Sequence, residues 1–199
     1  MRPRRVRTLV ACSGLVTVAL VVGACAVHHE YPYPTTWPPL VNGGTEGCRE
    51  LAGTYADRGD APNVPTINRS LTFTLGWTQN AKNPSQREAW RGADRVTLAL
   101  PSAESLEVVS WKASGEPIGT RVLTRAAGEF MCESGRAIVR WRVYEAEDVV
   151  AAREDYTVEL HRVGEHLVAY VRNQGIGTVF LAFPFWGTTS GWVRFARVP

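Results

Sequence analysis

From Asp94 to its C-terminus the chain is a succession of short apolar runs separated by turn formers, a pattern that points to an all-β fold. The runs are Val96 to Leu100, Leu106 to Trp111, Ile118 to Leu123, Ala137 to Tyr144, Tyr156 to Leu160, Leu167 to Val171, Thr178 to Phe183 and Trp192 to Phe195. Turn signals stand between them at Ser114-Gly115-Glu116-Pro117, Glu133-Ser134-Gly135, Val163-Gly164-Glu165 and Asn173-Gln174-Gly175. Arg140 and Arg142 alternate with Val139, Trp141 and Val143, the period of a half-solvated strand. Eight or nine such strands predict an antiparallel meander, closed into a barrel or folded into a two-sheet sandwich. Closure alone removes every edge.

Upstream the pattern is less regular. Glu50 to Ala56 alternates as a strand does, Leu71 to Trp77 fits a strand or a short buried helix, and Gln86 to Arg91 fits a helical turn within the Pro, Asn and Gly-rich stretch 57–93. Glu145 to Asp155 is expected as a surface helix or a loop.

The N-terminus carries targeting information. Arg2, Arg4, Arg5 and Arg7 precede an uncharged, mostly apolar run from Thr8 to Ala24, the charged and apolar regions of an export signal. The run ends at Val22-Gly23-Ala24-Cys25, which resembles the bacterial lipobox, an aliphatic and two small residues before a cysteine that is acylated after cleavage. Leu9-Val10-Ala11-Cys12 fits the lipobox pattern even better, but only four residues separate Cys12 from Arg7, too few for an apolar core of about 7 to 15 residues. The resemblance implies a cleaved signal over 1–24 and lipidation of Cys25, with membrane lipid as a partner. Ala26, where Asp would favour inner-membrane retention, implies the periplasmic face of the outer membrane. The layout as a whole resembles that of uncharacterised proteobacterial envelope lipoproteins.

Charge adds an exclusion. The leader holds four of the 22 Lys and Arg and none of the 19 Asp and Glu, so the remainder carries −1 rather than +3. A near-neutral surface gives no electrostatic basis for nucleic-acid binding. Between Cys25 and Gly47 prolines at 32, 34, 38 and 39 exclude helix and inner strand and predict a lipid-anchored tether over 25–47. A single β domain is expected over 48–199. Cys48 and Cys132 form an even pair in an exported chain, which reads as one disulfide, with two buried thiols or a metal pair as the alternative.

No catalytic or cofactor-binding motif emerges. His28 and His29 lie on the tether, where neighbours point apart, and His161 and His166 flank a hairpin turn without the further ligands zinc needs. Glu145, Glu147, Asp148, Glu154 and Asp155 lack calcium-loop spacing, although a glycosidase pair needs only two carboxylates facing one cleft. Gly187-Thr188-Thr189-Ser190-Gly191 has Thr at the centre of what would be a nucleophile elbow and is expected as a hairpin loop. Gly175-Ile176-Gly177 lacks the third glycine of a dinucleotide site. No metal site and no cofactor are expected.

Two features bear on binding. Leu51-Ala52-Gly53-Thr54-Tyr55 resembles the opening strand of lipocalin-like barrels, with Tyr55 for the family's Trp. That resemblance implies that Tyr55 closes the barrel floor and that Arg194 or Arg197 lies over its ring. Near the C-terminus Phe180, Phe183, Phe185, Trp186 and Trp192 form an aromatic group that fits a ligand pocket, a partner surface or a filled core. Tyr55, Phe183, Phe185, Trp186, Trp192 and Arg194 are therefore the candidate ligand or partner surface. The expectation is a non-catalytic binding or structural lipoprotein of the envelope, acting with an envelope protein or a small apolar molecule; the alternative is a lipocalin-like carrier. Cys25→Ser is expected to release the protein from membranes and abolish fatty-acid labelling; continued labelling contradicts the assignment.

Overall fold

Among the described residues ten strands lie in two sheets. The computed structural model describes residues 26–40, 47–62, 64, 67–77, 84–147, 150–179 and 183–199; Cys25 and the leader lie outside them. The strands are β1 (Ala26–Glu30), β2 (Gly53–Ala56), β3 (Arg95–Ser102), β4 (Ser105–Trp111), β5 (Pro117–Thr124), β6 (Phe130–Glu133), β7 (Arg136–Glu147), β8 (Val150–Val163), β9 (His166–Val179) and β10 (Phe183–Ala196). The large sheet has the order β1-β10-β9-β8-β7-β6 and the small one β2-β3-β4-β5. Neighbours are antiparallel except β1, which runs parallel to β10. Neither sheet closes on itself, so the all-β expectation takes its sandwich form.

The sheets differ in length. β8, β9 and β10 have 14 residues each, about 46 Å at roughly 3.3 Å per residue. The small sheet offers strands of four to eight residues, so it covers only part of the large one. Val96, Leu98, Leu106, Val108 and Leu123 from the small sheet are buried with Val139, Val158, Leu160, Leu167, Ala169, Val193 and Phe195 from the large one. This filled core occupies one half of the long ribbon β7–β10, termed the proximal half. In the distal half the inner face carries Glu154, Gly175 and Gly187 in one cross-strand row.

Several local expectations are corrected. Within the expected helix or loop Glu145 to Asp155, residues up to Glu147 end β7 and those from Val150 start β8, with cross-strand pairing overriding the helix propensity of its Glu and Ala, and residues 148–149 lie outside the described residues. Asn173-Gln174-Gly175 and Gly187 to Gly191 continue through β9 and β10 instead of turning. The expected strand Thr178 to Phe183 spans the junction between them, and residues 180–182 lie outside the described residues. A Cβ at Gly191 would stand 2.7 Å from Val64, and one at Gly177 2.5 Å from the Ala151 carbonyl oxygen. These glycines admit close neighbours rather than make turns.

The Pro-rich segment is corrected too. Over 26–40 it is part of the folded unit: β1 extends the large sheet, Tyr31 N–H donates to the Ser190 carbonyl at 3.0 Å, and Trp37 is buried on the outer face beside Val163 and Val168. Tyr33 sets its ring edge-on to Trp37 at 5.7 Å and Trp192 at 5.0 Å. Prolines bar this segment from a helix but pre-set its backbone, which lowers the entropy lost on docking.

Cys48 and Cys132 are joined in a disulfide, with Cα atoms 5.9 Å apart. The bond links the 3₁₀ turn Gly47–Leu51, which leads into β2, to β6 at the edge of the large sheet, and so ties the two sheets together. Closing a separation of 84 residues contributes about 4 to 5 kcal/mol in the chain-entropy model. Reduction is expected to lower the denaturant midpoint of the β domain substantially; an unchanged midpoint contradicts this role.

Candidate functional site

The inner face of the distal ribbon needs a cover, and the segment Asp57–Trp77 supplies it. Asp57 is buried, and its carboxylate accepts from Thr72 N–H at 2.8 Å and Ser70 Oγ at 3.1 Å. Ser70 Oγ in turn accepts from Phe73 N–H at 3.1 Å and caps the short helix Leu71–Thr74. Isolated bridges Arg58 to Ser70 and Asp60 to Arg194 stitch the segment to itself and to β10. At its far end Gly76 has φ +74°, and a Cβ there would stand 2.6 Å from the Trp141 ring. Trp141 Nε1 donates to the Thr74 carbonyl at 3.1 Å.

Between this roof and the sheet lies a cavity of about 390 Å³ lined by Ile67, Asn68, Phe73, Thr74, Trp141, Tyr156, Val171, Asn173 and Thr189. Its floor is one cross-strand row, Trp141, Tyr156, Asn173 and Thr189, on β7 to β10. The Trp141 and Tyr156 rings stack at 3.7 Å with 5° between planes, and Phe73 meets both edge-on. The row therefore passes from an aromatic end to a polar one.

The polar groups at its edge are tied together. Tyr156 donates its hydroxyl proton to Glu154 Oε2 at 2.6 Å, while Asn173 Nδ2 donates to the Tyr156 oxygen at 3.2 Å and to Glu154 at 3.4 Å. Asn173 Oδ1 is buried without a hydrogen-bond partner among the described residues. Beyond them a Cβ at Gly175 would meet nothing within 4 Å, so the row next to the cavity is open there. The Glu154 carboxylate is held by two donors. Asp155 follows it in the strand and faces the other side of the sheet, paired with Arg142 and with Arg153 at 2.9 Å. The two acids thus share no cleft. Glu145 and Glu147 lie opposite Ala152 and Val150, and Asp148 lies outside the described residues.

The residues singled out from sequence are dispersed. Tyr55 is buried in the core; its hydroxyl donates to the Leu51 carbonyl at 2.9 Å and accepts from Arg162 at 3.2 Å. Burial raises its phenol pKa above the ordinary value, against the opposing pull of Arg162. Arg197 pairs with Tyr55 through a backbone bridge and lies against Gly53, whereas Arg194 lies over Trp37 at 4.8 Å and pairs with Asp60 at 3.2 Å. Trp192 packs on Tyr170 at 4.7 Å and on Tyr33. Trp192 and Arg194 thus hold the Pro-rich segment in place. Phe183 opens β10, and Phe185 lies over Gly177 on the inner face. Trp186 faces outward, about 20 Å along the strand from Trp192. No single surface unites Tyr55, Phe185, Trp186, Trp192 and Arg194.

His161 lies opposite Val168 and His166 opposite Val163, so the two histidines do not pair. Burial holds the His161 pKa below the usual imidazole value, with Arg136 lowering it further and Glu159 opposing. Among the described residues no three His, Cys, Asp or Glu side chains are grouped to hold a metal ion. Comparison with protein-family models, curated proteins and solved structures finds no match to this chain.

Proposed function

We propose that this protein is a lipid-anchored component of the bacterial cell envelope that binds a small molecule without transforming it, in the cavity between the Ile67–Thr74 segment and the large sheet. The observation that carries the binding role is that cavity: about 390 Å³, above the roughly 300 Å³ of small-molecule sites, with an aromatic wall grading into Asn173 and Thr189. A ligand with a ring or short apolar body and an uncharged polar end matches this lining. The non-catalytic reading draws support from Glu154, whose carboxylate is engaged by Tyr156 and Asn173 rather than held ready as a base.

Placement in the envelope rests on the lipobox-like Val22-Gly23-Ala24-Cys25 and is supported by the disulfide, a bond of oxidising compartments. Ala26 after the cysteine favours the outer membrane. The carrier alternative gains from the cavity's volume and rings, although the cavity lies beside the core and not inside a closed barrel.

The fluorescent probe N-phenylnaphthylamine, ring-bearing and uncharged, is expected to bind once per chain with a rise in emission. Thr189→Trp, which fills the polar end, is expected to weaken binding by at least about tenfold, a loss of about 1.4 kcal/mol, while thermal unfolding stays close to that of the parent. Absence of saturable binding, or affinity unchanged by Thr189→Trp, contradicts the assignment.

A further inference from the structure

The outer face of the distal ribbon carries a second feature that the cavity does not use. The chain has seven tryptophans, and Trp186, at 45 % exposure, is the one among the large exposed hydrophobic side chains. It stands in a cross-strand row with Ile176, Arg153 and Tyr144. Ile176 is 53 % exposed and Tyr144 71 %. Moving inward along the same face, the next row holds Arg142, Asp155 and Gln174, and the one after it Arg140, Thr157 and Arg172. Asp155 neutralises part of the charge through Arg142 and Arg153. Arg140 and Arg172 are exposed with no acidic partner among the described residues. On β1 the face continues through His28 and Glu30, which lie near each other at 3.9 Å.

This face therefore grades from aromatic and aliphatic side chains at the distal end to arginines toward the middle, the order met on passing from the lipid boundary to the headgroup phosphates. The end that is apolar is also the end at which the chain enters the sheet. Ala26 is the partner of Trp186 in the parallel β1–β10 ladder, one strand spacing or about 4.8 Å away, and Cys25 is the residue before it. Acyl chains on that cysteine would start beside Trp186.

We propose that the outer face of the distal ribbon rests on a bilayer surface containing anionic lipids. Trp186, Ile176 and Tyr144 lie at the acyl boundary, and Arg140 and Arg172 meet the phosphates. The proposal rests on the reading that Cys25 is lipidated. Anchor and sheet face then act as two attachments, the first holding the protein at the membrane and the second fixing its orientation, so that the domain stands directly on the membrane.

The test uses the full lipidated chain, reconstituted into phosphatidylethanolamine and phosphatidylglycerol vesicles whose acyl chains are brominated near the headgroup. The protein is expected to float with the vesicles and to lose part of its tryptophan emission to bromine quenching. Trp186→Phe should remove most of the quenchable emission, because Trp37, Trp77, Trp90 and Trp141 are buried within the protein, Trp192 packs under Tyr33, and the half-buried Trp111 lies on the outer face of the small sheet, on the opposite side of the sandwich. Arg140→Gln with Arg172→Gln should reduce the quenching while flotation persists. Protein that floats without quenching, including protein whose Trp186 is covered by a second copy or another protein, overturns the membrane-facing surface and leaves the anchor intact. Protein that does not float overturns both.

Discussion

The structure depends on a mismatch of length. Strands of 12 to 14 residues in the large sheet must shelter one face from water, and the partner sheet has strands of only four to eight. The proximal half is closed by sheet-on-sheet packing, which needs only alternation of apolar residues. Among the described residues the distal half has no sheet opposite it. There the irregular segment Asp57–Trp77 takes over, held by the buried Asp57 carboxylate and by Gly76 against Trp141. A segment held by isolated bridges rather than a continuous ladder leaves gaps where a sheet would interdigitate, and the cavity lies in one of them.

The same mismatch explains why the covalent and polar ties sit where they do. The Cys48–Cys132 disulfide and the Tyr55–Arg162 contact both join the small sheet's first strand region to the large sheet at the proximal end. With that end fixed, the rest of the ribbon projects beyond the common core. Tyr33, Trp37, Trp192 and Arg194 cover part of the outer face with the Pro-rich segment. Residues near Trp186 are left uncovered on the same side.

Much of the fold was legible in the sequence, because alternation and turn formers mark strands wherever one face is buried. The expected runs at Val96, Leu106, Ile118, Ala137, Tyr156, Leu167 and Trp192 all lie within strands. What misled was glycine. Gly175, Gly187 and Gly191 carry the lettering of turns, yet they lie inside strands: a Cβ at Gly191 would meet Val64 at 2.7 Å and one at Gly187 the Val27 carbonyl at 3.3 Å, while Gly175 borders open space. Proline misled in the opposite way: it predicts a free tether and instead supplies a pre-set segment that docks.

The cavity itself was not legible. Trp141 reads as one more core residue, Tyr156 as the start of a run, Asn173 as a turn and Thr189 as a loop; only the register that puts them in one row makes them a site. The most direct measurement is native mass spectrometry of the protein purified under mild conditions from cells that produce it. If the cavity is a binding site, part of the population carries one small molecule per chain, lost on unfolding and missing from Thr189→Trp. A mass accounted for throughout by the covalent chain contradicts it.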